Sequence, residues 1–250
     1  MEEEIVFRNR RGQRLVGLLG RPDARNYQRY QEGIDYPLAI YCHGLGSSKN
    51  QRKGKALASK LPARGIALFR FDFTGCGESD GQFGDTTASR LLDDLRAAHE
   101  IAANQKGIDR SRVALVGSSF GGLVSLLAMS EGPNTLPVNT AVLISPATDY
   151  KENHSKPNAD DNMSNEFYID VWKRDVFGLS RNIRHPCLVI HGSLDDICFL
   201  SGSERLMQSL SSDSRLEIIR GEGHFYKNED NFNRMMALTV DWLRERLTSL

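Results

Sequence analysis

The stretch "VALVGSSFGGLVSLL", residues 113–127, places two adjacent serines where an apolar run typical of a strand changes into one typical of a helix. A sharp strand-to-helix turn brings the residues two positions before and after its apex nearly into contact, so both must be small. With Ser119 at the apex, both of these residues are glycine. With Ser118 at the apex they would be a valine and a phenylalanine, which would collide. The spacing therefore predicts that Ser119 is the exposed nucleophile of such a turn.

Strand-like and helix-like runs alternate along the chain on both sides of this stretch. Apolar runs of strand length occur at residues 37–42, 65–73, 112–117, 140–145, 186–192 and 215–221. Helical patterns lie at about 51–63 and 86–104 and at the end of the chain, and extended runs at 4–9 and 13–20 favour an opening hairpin. Strands that are apolar throughout and alternate with helices are typical of a mostly parallel central sheet with helices on both faces. The predicted fold class is therefore α/β.

Residues 147–184 interrupt this alternation, because the segment is polar and rich in turn residues before it becomes aromatic. A stretch of this length inside a compact α/β domain usually has a role such as covering a site. We predict that it forms a small lid or cap insert within a single domain spanning residues 1–250. Four aromatic residues of the segment could line a substrate pocket, although a lid that packs its own small core explains them equally well. They are Phe167, Tyr168, Trp172 and Phe177.

Composition and charge restrict the classes of partner. The chain has 250 residues, and 32 Lys plus Arg balance 32 Asp plus Glu, so the formal net charge is zero. A neutral chain lacks the basic field that binds nucleic acid or an anionic membrane, so neither partner is expected. No apolar run approaches about eighteen residues and the first residues do not resemble a signal peptide, so we expect neither a membrane span nor a leader. Four widely spaced cysteines favour reduced thiols and a cytoplasmic protein.

A serine hydroxyl is a poor nucleophile at neutral pH and needs a neighbouring base. His224 lies in "GEGHFY", directly after the last predicted strand, where a catalytic histidine would come late in the sequence. His43 and His191 each precede a glycine at a strand end, and both are predicted to brace loops instead. His224 is therefore the predicted base.

The base needs an acid to orient it. Asp195 follows the predicted strand at 186–192, which gives the order Ser, Asp, His that this architecture uses. Its neighbour Asp196 is a local alternative, and Asp149 on the preceding strand end is another. Asp195 is the predicted acid.

Two backbone N–H groups should stabilise the oxyanion of a tetrahedral intermediate. One is expected at Phe120, the first residue of the helix after the turn, where the positive end of the helix dipole lies. The second is expected at Leu45 in "HGLGSS", residues 43–48, where Gly44 allows the backbone to turn inward. The basic residues just after this loop are predicted to form a solvated helix face rather than a site for an acidic substrate. They are Lys49, Arg52, Lys53 and Lys55.

Five motifs in this order resemble the α/β-hydrolase superfamily: "HGLGSSKN", "LFRFDFTGCGESDG", "GSSFGG", "HGSLDD" and "GEGHF". Within it, the chain is similar to bacterial carboxylesterases of the cinnamoyl or feruloyl esterase type and to their serine-aminopeptidase-like relatives. The resemblance spans nearly the whole chain and implies the α/β-hydrolase fold. It also implies a catalytic triad of Ser119, Asp195 and His224, with oxyanion donors at Leu45 and Phe120.

These residues predict a serine hydrolase that needs neither a metal nor an organic cofactor. The expected partner is a small-molecule ester of a small to medium acyl or aromatic acid, cleaved through an acyl-enzyme intermediate. Two alternatives stay open at this point. The same residues would serve an amidase or aminopeptidase, and the fold could also bind a small ligand without catalysis.

Overall fold

The computed structural model describes residues 2–23, 35–133, 135–150, 163–211 and 213–248. Within these residues, eight strands form one sheet in the order β1-β2-β4-β3-β5-β6-β7-β8. The strands are β1 (Glu2–Arg8), β2 (Arg14–Gly20), β3 (Tyr36–Cys42), β4 (Ala67–Phe71), β5 (Ile108–Ser118), β6 (Thr140–Ile144), β7 (Cys187–Gly192) and β8 (Arg215–Ile219). The first two strands form an antiparallel hairpin, and β2 also runs antiparallel to β4. The strands from β3 to β8 pair in parallel, so the predicted mostly parallel sheet is confirmed.

Helices cover both faces of the sheet, as the alternating pattern predicts. In the described residues they are α1 (Arg52–Lys60), α2 (Ala88–Ala103), α3 (Phe120–Ser130), α4 (Asn165–Trp172), α5 (Val176–Ser180), α6 (Leu200–Met207) and α7 (Glu229–Thr248). Side chains alternate between the two faces along each strand. Val113 and Leu115 of β5 therefore pack in the cluster that contains α2 and α3, whereas Ala114 and Val116 pack with α1 and α7.

Two elements differ from the sequence prediction. Strand β5 begins at Ile108, four residues before the predicted apolar run, because the buried Ile108 pairs with Tyr36 of β3, whereas residues 109–112 after it are polar. Helix α6 was not predicted, because it buries only Gly202, Ser203 and Leu206 and therefore has no apolar stripe. In the described part of the chain, no helix is long and apolar enough to cross a membrane.

The aromatic end of the 147–184 segment forms α4 and α5, whereas residues 151–162 lie outside the described residues. Asp170 ties α4 to the start of α2, because its carboxylate accepts hydrogen bonds from the backbone N–H and the hydroxyl of Ser89, at 2.7 and 2.8 Å. Arg174 also pairs with this carboxylate at 3.0 Å. Burial alone would raise the pKa of Asp170, but hydrogen bonds from Lys173, Ser89 and Arg174 lower it to about 2. The charged carboxylate therefore links this segment to the main body of helices.

Candidate active site

Ser119 occupies a strained turn between the end of β5 and the start of α3. Its φ is 54° and its ψ is −122°, a backbone conformation that costs a residue other than glycine about 1–3 kcal/mol. The surrounding backbone holds it there. The Ser119 N–H donates to the Ile144 carbonyl at 2.9 Å, and the Ser119 carbonyl accepts from Ala147 at 3.1 Å. Such strain, when neighbouring strands hold it in place, is typical of a functional site.

The glycines around Ser119 are required by close backbone contacts. A Cβ at Gly117 would lie 2.6 Å from the Gly121 carbonyl oxygen, which is the collision that the sequence spacing predicts. A Cβ at Gly121 would lie 2.2 Å from the Cys42 carbonyl oxygen at the end of β3. This second contact involves a neighbouring strand, so the motif alone does not reveal it.

His224 and Asp195 lie in loops after β8 and β7 and contact each other directly. The distance from His224 Nδ1 to Asp195 Oδ2 is 2.8 Å. The other carboxylate oxygen of Asp195 accepts backbone N–H groups from Ile197 at 3.1 Å and Cys198 at 2.9 Å. Burial would raise the pKa of Asp195, but His224, the Cys198 N–H and the Ser145 hydroxyl lower it below its usual value. The carboxylate is therefore ionised, so His224 donates from Nδ1 and keeps Nε2 free to accept a proton.

Ser119 and His224 line the same cavity, which has a volume of about 320 Å³. Gly44 and Leu45, from the loop after β3, form another part of its wall. Ser119 and His224, the predicted nucleophile and base, therefore lie in the wall of one open cavity. Of the alternative acids, Asp196 is exposed. Asp149 is buried beside α6, where a Cβ at Gly202 would lie 2.9 Å from its carboxyl carbon, whereas the contact of His224 is with Asp195.

The two predicted oxyanion donors flank Ser119. The loop after β3 passes close to it, because a Cβ at Gly44 would lie 3.3 Å from the Ser119 Cβ. Leu45 follows directly in this loop, and Phe120 is the first residue of α3. Within the described residues, neither the Leu45 N–H nor the Phe120 N–H donates a hydrogen bond to the protein. Both groups are therefore available to a developing negative charge.

His43 and His191 brace loops, as the sequence predicts. His43 donates from Nδ1 to the Gly44 carbonyl at 2.8 Å and accepts the Phe73 N–H at Nε2, at 3.1 Å. His191 donates from Nε2 to the Cys198 carbonyl at 2.7 Å. Burial lowers the pKa of both imidazoles below the usual value, so both are neutral.

Lys49 corrects the prediction of a solvated basic face. Its side chain is only 1% exposed and pairs with Asp72 at 2.5 Å and with Glu78. Asp72 also accepts the Lys49 backbone N–H at 2.6 Å, so this ion cluster fixes the loop that carries Leu45. Burial opposes the charge, but hydrogen bonds to Asp72 and Glu78 raise the pKa of Lys49 above its usual value. Arg52 and Lys55 are exposed, as predicted for a solvated face, whereas Lys53 is half-buried. Arg52 and Lys53 line the cavity of Ser119 and His224.

Cys198 is a residue of the site that sequence reasoning missed. Its Sγ lies 4.0 Å from the Ser119 Oγ, and its backbone contacts both Asp195 and His191. Burial raises the pKa of the thiol to about 12, so the sulfur is protonated at neutral pH. Its position three residues after Asp195 in the same loop is the sequence feature that could have indicated its place in the site.

The four aromatic residues of the 147–184 segment do not line the cavity of Ser119 and His224. Phe167 and Tyr168 are fully buried, and the Phe167 ring centre lies 5.3 Å from that of Phe120. These two side chains fill the core between α4 and α3, which corrects their expected role as pocket residues. Trp172 and Phe177 line a separate cavity of about 300 Å³ beneath α4 and α5.

Comparison with protein families gives a match to Hydrolase_4, described as serine aminopeptidase S33, over residues 37–174. The match covers more than half of the chain and includes the turn at Ser119. Two bacterial relatives have no assigned activity in their names. The uncharacterized protein MT2364 from Mycobacterium tuberculosis is 28% identical over 229 residues, which are 88% of this chain and 72% of that protein. The uncharacterized protein YfhR from Escherichia coli K12 is 28% identical over 196 residues, which are 76% of this chain and 64% of YfhR.

Solved structures share the fold at lower identity. Est1E from Butyrivibrio proteoclasticus with ferulic acid bound superposes with a TM-score of 0.84 at 20% identity, over 98% of this chain and 100% of Est1E. The α/β hydrolase GrgF from Penicillium sp. sh18 superposes with a TM-score of 0.83 at 17% identity, over the whole of both chains. At these identities the likeness shows the fold. Together with the family match, it shows that the chain belongs to the serine aminopeptidase S33 family of the α/β-hydrolase superfamily.

Proposed function

We propose that the protein is a serine hydrolase that cleaves carboxylic esters of small to medium acyl or aromatic acids. Ser119 is the nucleophile, His224 the general base and Asp195 the acid that orients the base. The observation that carries this proposal is the 2.8 Å contact between His224 Nδ1 and Asp195 Oδ2 beside a cavity that His224 shares with the strained Ser119. This contact leaves the other imidazole nitrogen free to accept a proton.

In the proposed reaction, His224 Nε2 accepts the Ser119 proton while Oγ attacks the ester carbonyl carbon. The carbonyl π electrons move to the oxygen, and the N–H groups of Leu45 and Phe120 stabilise the resulting oxyanion. Collapse of this intermediate expels the alcohol, which takes the proton from His224. Water then gives a proton to His224 and attacks the acyl carbon. Collapse of this second intermediate breaks the bond to Ser119 Oγ, which takes the proton back from His224, and the acid is released.

Two features of the site support rate enhancement. The oxyanion donors are backbone groups fixed by β3 and α3, so they need little reorganisation when charge develops, and each contributes about 10²- to 10³-fold. Asp195 is ionised, and it stabilises the imidazolium that forms when His224 accepts the proton. The proposed site thus combines a base that is oriented by an ionised acid with oxyanion donors that are already in place.

The choice of esters draws support from the structural neighbours, one of which is named an esterase domain and another of which holds ferulic acid. The family description of serine aminopeptidase favours a second candidate, the hydrolysis of an aminoacyl amide by the same residues.

We also propose that the segment from residue 147 to 184 acts as a cap over the site within a single domain. Helix α4 packs against Phe120, the residue after Ser119, which brings the segment next to the turn, although its described residues do not line the cavity.

The test combines a covalent probe with a substrate panel. A fluorophosphonate probe is expected to label the wild type and the Ser118→Ala variant, and to leave the Ser119→Ala variant unlabelled. Labelling that survives Ser119→Ala in a folded protein would contradict the proposed nucleophile. Turnover of 4-nitrophenyl acetate, butyrate, octanoate and ferulate, measured beside aminoacyl-4-nitroanilides, separates the esterase from the aminopeptidase.

A further inference from the structure

Lys53, near the start of α1, lies in the wall of the cavity that contains Ser119 and His224. It is half-buried, and its Nζ lies 5.3 Å from the centre of the Tyr226 ring. Across the described ranges of the chain, its ammonium group makes no hydrogen bond and no ion pair. Lys53 therefore places a cation without a direct counter-ion in the wall of the candidate catalytic cavity. The proposed reaction does not use this cation.

The neighbouring Arg52 differs, because its guanidinium is already occupied. It donates to the Tyr226 carbonyl at 2.9 Å, pairs with Glu229 at 2.7 Å and stacks 3.7 Å from the centre of the Phe232 ring. The guanidinium therefore helps to fix the wall. Among the described residues of this wall, Lys53 is the lysine or arginine without an ion pair.

The charged groups that act on Lys53 are Arg52, Asp195 and Glu222, and the titratable His224 lines the same cavity. Both carboxylates are committed to other donors. Asp195 binds His224 and two backbone N–H groups. Glu222 accepts the backbone N–H groups of Gly223, Lys227 and Asn228. Burial lowers the pKa of Lys53 to about 8, because the attraction of Asp195 and Glu222 does not offset the loss of water. A bound anion would supply the missing charge.

We propose that Lys53 binds a carboxylate of the substrate, so that the enzyme prefers esters whose acyl or alcohol part carries a negative charge. This inference rests on the proposed hydrolase function and names its substrate class. Lys53 would contact the substrate away from the ester bond, while Ser119 and His224 carry out the reaction. An ammonium–carboxylate hydrogen bond of this kind is worth about 10- to 100-fold in affinity.

The test compares matched charged and neutral esters. On the acyl side, mono-4-nitrophenyl glutarate is compared with 4-nitrophenyl pentanoate, and on the alcohol side 4-carboxyphenyl butyrate is compared with phenyl butyrate. In at least one pair, wild-type kcat/KM is expected to favour the charged ester about 10-fold or more. Lys53→Met should reduce this ratio by about 10- to 100-fold, and Lys53→Arg should retain part of it.

Lys55→Met is the matched control, because Lys55 is exposed on the same helix and does not line the cavity. This variant should keep the wild-type ratio. A wild type without preference in either pair, or a Lys53→Met variant with the wild-type ratio, would overturn the inference while leaving the esterase intact. Loss of turnover for every ester, together with no fluorophosphonate labelling, would instead overturn the proposed function and the inference with it.

A pH series on the wild type tests the same contact without a substitution. The ratio of the two kcat/KM values cancels the titration of His224, because the base acts on both esters. Since Lys53 loses its proton near pH 8, the preference for the charged ester should fall between about pH 6.5 and about pH 9.5. A constant ratio across this range would overturn the inference.

Discussion

The Cys198 Sγ lies 4.0 Å from the Ser119 Oγ, so the loop that carries Asp195 also touches the candidate nucleophile. The same residue donates its backbone N–H to Asp195 and accepts a hydrogen bond from His191. The positions of nucleophile and acid are therefore coupled through one short loop.

The buried thiol of Cys198 should resist alkylation. Its pKa of about 12 reduces the thiolate fraction roughly 10³-fold relative to an unperturbed cysteine. With iodoacetamide at about pH 8, we expect Cys198 to stay unmodified in the folded protein over the time that fully modifies it in an unfolded control. Peptide mass spectrometry measures the modified fraction in both samples. Rapid modification of Cys198 in the folded protein would contradict the burial of its thiol.

Substitution of the two adjacent serines should have unequal effects. Ser119→Ala should lower kcat by about 10⁴- to 10⁶-fold, because no other hydroxyl occupies the apex of the turn. Ser118→Ala should lower kcat by less than about 10-fold, since its side chain neighbours the reaction without taking part. Steady-state kinetics on a 4-nitrophenyl ester decide between them. Equal losses would show that the turn, rather than the Ser119 hydroxyl, was disturbed.

Substitution of the two candidate acids should also have unequal effects on kcat. Asp195→Asn should lower kcat by about 10⁴-fold, because an amide does not hold His224 in the tautomer that leaves Nε2 free. Asp149→Asn should have a much smaller effect on kcat, since Asp149 lies beside α6 and His224 contacts Asp195. Circular dichroism confirms folding of both variants before kinetics. A larger loss for Asp149→Asn would identify it as the acid.

Removal of the buried Lys49 ammonium should destabilise the fold. Lys49→Met leaves the fully buried Asp72 without its cation, which typically costs about 3–5 kcal/mol. Urea unfolding would measure this free energy, with Lys60→Met at an exposed position of α1 as the control. Adding Asp72→Asn to Lys49→Met should recover part of the loss, because it removes the unpaired charge. A loss below about 1 kcal/mol would contradict the buried pair.

The contact between Asp170 and α2 should make stability fall in acid. The pKa of Asp170 is about 2 in the folded protein, below its value of about 3.9 in an unfolded chain. Its stabilising contribution is therefore complete above about pH 4 and is lost as the pH falls toward 2. Asp170→Asn should be less stable than the wild type at pH 6 but lose less stability on acidification, whereas Asp241→Asn at an exposed site should match the wild type. Urea unfolding at several pH values measures both trends.

The sequence predicts the sheet and the region of the site because each depends on local patterns. The glycines around Ser119 and the apolar strands require no knowledge of distant contacts. Lys49 shows where this approach fails, because its partners Asp72 and Glu78 are 23 and 29 residues away and meet it only once β3 and β4 pair. The predicted role of Phe167 and Tyr168 as pocket residues is wrong for a related reason. Aromatic residues that fill a core and aromatic residues that line a pocket have the same composition.

The close approach of Gly121 to the Cys42 carbonyl has an evolutionary consequence. Backbone meets backbone at this point, so the turn that carries Ser119 and the strand end that leads to Leu45 form one rigid unit. Side-chain substitutions cannot adjust the spacing within this unit. Divergence among relatives that retain the chemistry should therefore accumulate in α1 and in the segment after β6, where side chains change the walls without disturbing the reacting atoms.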